Sequence, residues 1–130
     1  MILDSSAIVA ILLREPDCER LLAKIDGSQL VAIGAPTLFE AAMVLSARLR
    51  RDARPRLIEF LRRAEVEIIP FTRAHYEVAS DAFFRYGKGR HPAALNFGDC
   101  LAYAVARLSG LPLLNVGDDF SKTDLTASGG

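Results

Sequence analysis

Apolar residues along this chain fall into short runs of three or four and longer stretches at helical spacing, and the two kinds alternate. Met1-Ile2-Leu3, ending at Asp4, predicts a short buried strand, after which Ser5 and Ser6 offer capping hydroxyls for an apolar helix over Ala7 to Leu13. Pro16 suits a first helical position and, with Asp17 and Glu19 in the first turn, opens a second helix to about Asp26-Gly27. Leu30 to Ile33 predicts strand two, and Pro36 starts a long helix through about Arg51. Arg54-Pro55 begins a helix to about Glu65, and Glu67 to Pro70 predicts a third strand stopped by its proline. Thr72 caps a helix over Arg73 to Tyr86, and the glycines and proline of Gly87 to Pro92 predict a loop. Asn96 to Ser109 is the most apolar helix, closed by Gly110 and Pro112, and Leu113 to Val116 predicts strand four. Residues 126–130 predict a loose tail.

Strands separated by helices imply an α/β fold, a three-layer sandwich with a central, mostly parallel sheet of four to five strands and helices on both faces. No repeat or linker divides the 130 residues, so residues 1–130 are read as one domain. The longest apolar run, Ala7 to Leu13, is far short of the ~18 to 20 residues of a membrane span. With an acid at position 4 and no basic start, the sequence predicts no secretory leader and a cytoplasmic protein. Cys18 and Cys100 lack metal-site or CxxC spacing and are read as inert thiols. Sixteen bases balance sixteen acids, so any attraction for a polyanion must come from local patches.

In a parallel sheet, functional groups collect beyond the C-terminal ends of the strands. Asp4 ends strand one, Asp99 opens the apolar helix, and Asp118-Asp119 follows strand four. Glu40 stands one turn into the long helix among apolar neighbours, which points it inward or into a cleft. Each acid also has an ordinary role open to it, as a helix cap, a partner of a helix dipole or a turn residue. Converging carboxylates repel one another and lose solvation, and a divalent cation is the simplest relief. All-oxygen ligands point to Mg2+ or Mn2+, and such an ion can activate water against a phosphodiester.

The pattern Ile2-Leu3-Asp4-Ser5-Ser6-Ala7, the helix-borne Glu40, the segment from Asn96 through Asp99 to Ala104, and Gly117-Asp118-Asp119-Phe120 followed by Thr123-Asp124 resemble the VapC-type PIN domain over nearly the whole chain. The resemblance implies an Mg2+- or Mn2+-dependent endoribonuclease toxin, silenced by a cognate VapB-like antitoxin and forming homodimers and toxin–antitoxin hetero-oligomers. Carried over by position, Asp4 and Asp99 are metal ligands, and Glu40 shapes the metal's water shell or orients the attacking water. The fourth acid is Asp118 or Asp119, with Asp119, directly before the Phe, favoured. Ser5 and Ser6 occupy the places of supporting hydroxyl residues.

Arg85, Lys88 and Arg90, in and beside a glycine-bearing loop ahead of the Asp99 helix, are candidate contacts for RNA phosphates. Seven arginines against two acids between Arg48 and Arg63 form a second candidate rim. His91 reads as a surface residue, and His75 has no evident role. Ile8, Ile11, Leu12, Leu21, Leu22, Leu45 and Leu49 are core candidates that could also border a groove for a partner. A phosphatase of the Asp-x-Asp type fails at Ser6, and a phospho-receiver fails at Pro70, so the surviving alternative is a PIN-like module that binds RNA or protein without cutting.

Overall fold

The computed structural model describes residues 1–125, and the tail expected over 126–130 lies outside the described residues. Four strands, β1 (Ile2–Leu3), β2 (Ala32–Gly34), β3 (Glu67–Ile69) and β4 (Leu113–Leu114), form one sheet in the order β3-β2-β1-β4, every pair parallel. Six helices connect them: α1 (Ser5–Leu12), α2 (Cys18–Asp26), α3 (Ala35–Leu49), α4 (Arg54–Arg63), α5 (Arg73–Tyr86) and α6 (Phe97–Ser109). No helix among the described residues is long and apolar enough to cross a membrane.

The two-residue period of a strand divides the core. Leu3, Ile33 and Leu114 point into one apolar cluster with residues of α1 to α4, whereas Ile2, Ala32 and Leu113 point into a second with α5 and α6. The expected three layers follow, with β1 buried on both faces and β3 at an edge where Ile68 remains half exposed. In a parallel sheet all strand C-termini share one edge, and each crossover helix begins there. Chain order reverses between β1 and β4, a topological switch point of the kind at which ligands bind in open α/β sheets.

Several boundaries differ from the sequence expectation, each for a local reason. Helix α1 starts at Ser5, because the extended Asp4 takes the N-cap and its carboxylate accepts the Ser6 N–H at 3.2 Å. The serines are therefore in the first helical turn and are not the cap. Helix α2 begins at Cys18, after the turn that holds Pro16. Helix α3 stops at Leu49, where Arg50 turns left-handed at φ 53°. His75 has a role that the sequence did not disclose: buried near the start of α5, its Nδ1 accepts the Thr72 N–H at 3.1 Å and closes the helix cap.

Gly34 is the hinge between β2 and α3, and a Cβ there would stand 2.8 Å from Val105 Cγ2 of the buried α6. Substituting Gly34→Ala is expected to cost about 1–3 kcal/mol. A urea or thermal melt with an unchanged midpoint would contradict this close packing of α3 on α6.

Candidate active site

Asp4 leaves β1 at the sheet's C-terminal edge and is 6% exposed. Its Oδ2 accepts from Ser6 Oγ at 2.5 Å as well as from the Ser6 N–H, and the Ser6 hydroxyl in turn accepts the Val116 N–H at 3.0 Å. Ser6 thus ties the end of β1 to the segment leaving β4. The Ser5 N–H also bears on the Asp4 carboxylate. Burial raises the Asp4 pKa and the charge of Glu40 adds to the rise, against the hydrogen bonds from Ser6 and Ser5.

Asp99 arrives from the opposite side, at the first turn of α6, and is 7% exposed. Asn96 and Asp99 form a reciprocal cap, Asp99 N–H to Asn96 Oδ1 at 2.9 Å and Asn96 N–H to Asp99 Oδ2 at 3.0 Å. Its pKa is pushed up to about 6, first by burial and then by the charges of Asp119, Asp4 and Glu40, against the bond from Asn96. One carboxylate therefore senses three others, supplied by β1, α3 and the segment after β4. Of the adjacent acids, Asp119 is the one whose charge bears on Asp99; both it and Asp118 are exposed.

Glu40 reaches in from α3, and its Oε1 is buried with no hydrogen-bond partner. A Cβ at position 98 would overlap both Glu40 carboxylate oxygens, so Gly98 provides the room in which that carboxylate lies. A buried, undonated carboxylate oxygen is costly unless a proton or cation reaches it. The oxygen-only donor set beside it suits a hard divalent ion. Among the described residues, no three acidic, His or Cys groups form a ready-made cage. An ion such as Mg2+, which retains several waters and uses one or two carboxylates, would not need such a cage.

Cys100, next to Asp99, is buried, and its thiol is pushed up to about 11 by burial and then by the Asp99 charge, which leaves it protonated and inert as a nucleophile. Lys88 and Arg90 are exposed in the loop between α5 and α6, with the Arg90 guanidinium 4.7 Å from the Phe84 ring centre. Arg85 is engaged otherwise, over the Tyr86 ring and 3.8 Å from Asp124. His91 is half-buried, its Nδ1 accepting the Ala93 N–H and its ring packed edge-on against Tyr86. In the second basic stretch, Arg54 pairs with Asp52, and both Arg62 and Arg63 pair with Glu59. Arg48, Arg50 and Arg51 are exposed around the far end of α3, two turns or more from Glu40.

Sequence reasoning missed the Asn96 partner of Asp99, although Asn-x-x-Asp before an apolar helix is a legible cap signature. It also missed the contact of Gly98 with Glu40, which no local pattern encodes.

Because the folded protein holds Asp99 up near 6 and an unfolded aspartate titrates near 4, folding favours its protonated form. That contribution is complete below about pH 4 and is lost as pH rises through about 6. Without divalent ions, Asp99→Asn, which keeps an acceptor for the Asn96 N–H, should raise the melting midpoint at pH 8 by on the order of 3 °C and flatten its fall between pH 4 and 6. Calorimetry in EDTA checks this, and a lower midpoint for the variant would mean that the cap outweighs the repulsion.

The chain matches the PIN domain family over residues 1–125. It is 43% identical over 130 residues to Ribonuclease VapC36 of Mycobacterium tuberculosis, covering 99% of this chain and 94% of that protein. It is 39% identical over 127 residues to Ribonuclease VapC of Mycolicibacterium smegmatis, covering 98% of each. In fold it resembles the crystal structure of Mycobacterium tuberculosis VapC20, a sarcin-ricin loop cleaving toxin, with a TM-score of 0.77 at 20% identity over 96% of this chain and 95% of that one. A toxin-antitoxin complex from Klebsiella pneumoniae gives a TM-score of 0.70 at 18% identity, covering 95% of this chain and 92% of that one. With full-length relatives at this identity and the parallel sheet and edge carboxylates described above, the chain belongs to the PIN domain family, in its VapC branch.

Proposed function

We propose that the protein is the toxin of a toxin–antitoxin pair, a cytoplasmic Mg2+- or Mn2+-dependent endoribonuclease that hydrolyses RNA phosphodiester bonds and is inhibited by a cognate VapB-like antitoxin. The observation that carries this reading is a Glu40 oxygen buried with no protein hydrogen-bond partner, together with the buried carboxylates of Asp4 and Asp99, both of which feel the charge of Glu40. Asp4 and Asp99 would hold the ion. When bound, it supplies an activated water and neutralises charge developing at phosphorus. Ser6 fixes the Asp4 carboxylate, and the Asn96 N–H fixes that of Asp99, so both acids are oriented before substrate arrives. Glu40 would orient the attacking water, and Asp119 would complete the negative rim. Lys88 and Arg90 offer positive charge to the RNA backbone, whereas Arg85 is partly committed to Asp124.

The test is cleavage of a labelled RNA pool by antitoxin-free protein with Mg2+ or Mn2+. Discrete fragments should vanish with EDTA and in Asp99→Asn, Glu40→Gln should lose about 10²–10⁴ in rate, and Ser6→Ala about 10–100. Absence of cleavage by folded, metal-binding protein would instead favour a PIN-like module that binds without cutting.

The antitoxin surface follows from α1, α2 and α4. Ile8, Leu21 and Leu45 are consumed by the core, but Leu12, Leu22 and Phe60 line a groove of about 650 Å³ bordered by Arg56 and Arg63. This suits a partner helix with an apolar face. The toxin is proposed to act as a homodimer that assembles with antitoxin into a hetero-oligomer. Replacing Leu22→Glu should leave RNA cleavage intact and weaken antitoxin binding by about 30-fold or more. Titration calorimetry against the cognate VapB-like antitoxin decides it, and unchanged affinity would remove the groove from the interface.

A further inference from the structure

The Thr123-Asp124 ending has no part in the chemistry above, yet the structure ties it to the candidate site. Asp99, Tyr103 and Arg107 succeed one another at four-residue intervals on α6, so they form one stripe with a step of about 6 Å. At its top, Asp99 senses the charge of Asp119. One turn below, the Tyr103 hydroxyl donates to Asp124 Oδ1 at 2.5 Å, and a further turn below, Arg107 Nη2 lies 3.6 Å from Asp124 Oδ2. The segment from Asp119 to Asp124 therefore runs down the same helical stripe. Between the two, the Phe120 ring is buried in the α5–α6 core, and the Phe120 carbonyl accepts from both the N–H and the hydroxyl of Thr123.

Something must hold Asp119 where its charge bears on the buried Asp99. Gly117 stands at φ +98° and the Asp118 and Asp119 side chains are exposed, so the upper part of the segment is held through backbone carbonyls, that of Gly117 accepting from Asn115 Nδ2 and that of Asp118 from the N–H and hydroxyl of Ser121. It is pinned upstream where the Val116 N–H meets Ser6. We infer that Asp124 is a positioning residue that, docked on Tyr103 and Arg107, provides the downstream pin and holds Asp119 against Asp99. This rests on the proposed role of Asp119. The main anchor is the Tyr103 hydroxyl, since Tyr103 is 4% exposed and its bond to a carboxylate is charge-assisted. Burial and then Asp124 itself push the Tyr103 pKa up, so it remains a donor. Arg85 and Arg107 are largely exposed, and their pairs contribute less.

The experiment compares wild type, Asp119→Asn, Asp124→Ala, Tyr103→Phe and the Asp119→Asn/Asp124→Ala double variant in the full chain. Three quantities are read: Mn2+ affinity by paramagnetic resonance, kcat and KM for RNA, and the rate of tryptic cleavage after the exposed Lys122. Asp124→Ala and Tyr103→Phe should each weaken Mn2+ binding by about 10-fold, lower kcat more than KM changes, and speed cleavage after Lys122. The double variant should bind Mn2+ no more weakly than Asp119→Asn alone. Additive losses, or unchanged Mn2+ affinity in Asp124→Ala beside a clear loss in Asp119→Asn, would overturn the inference alone. Unchanged Mn2+ affinity in Asp119→Asn would remove the proposed role of Asp119 and the inference with it. Should Asp124→Ala fail to fold, Tyr103→Phe, which deletes one hydroxyl, makes the same comparison.

Discussion

The constraint on which the rest depends is that carboxylates from distant parts of the chain are forced together where water is scarce. Four parallel strands put every C-terminal end at one edge, and the strand order reverses there between β1 and β4. Asp4 has no freedom to leave this edge, because the same carboxylate caps α1 and is gripped by Ser6. Asp99 is equally fixed, because it closes the α6 cap with Asn96. Each acid is thus recruited by a helix terminus, which gains a hydrogen bond and favourable dipole from it, while the pair of them accept burial and mutual repulsion.

That compromise separates stability from function. A neutral Asn in place of Asp99 retains the cap and loses the repulsion, yet it gives up the charge that would attract a cation. Glu40 displays the same tension more openly, with an oxygen buried and undonated. The space for it exists because residue 98 has no side chain. A protein optimised for stability alone would donate a hydrogen bond to that oxygen or move it into solvent.

The groove proposed for the antitoxin is built from other residues than the acids. Leu12, Leu22 and Phe60 leave an apolar groove among α1, α2 and α4, on the opposite face of the sheet from α5 and α6. The local arginine excess is smaller in effect than in count, because Asp52 and Glu59 engage three of the seven side chains. In the α5–α6 region, Arg85 is drawn to Asp124 and Arg90 packs over the Phe83 and Phe84 rings, while Lys88 is exposed in the loop between the two helices.

The sequence by itself determined the alternation of strands and helices, the three layers and the order in which the four acids occur, since periodicity and stop signals are local properties of the chain. Helix boundaries were less legible: whether Asp4 or the serines cap α1 depends on a backbone conformation that both readings allow. His75 could not be assigned, because its hydrogen bond to Thr72 arises only when the first turn of α5 forms. Tertiary structure alone decided that Gly98 makes room for Glu40 and that Asp124 meets Tyr103 across 21 residues. These are contacts between segments far apart in sequence, and no residue's own propensities encode the geometry by which the folded sheet brings them together.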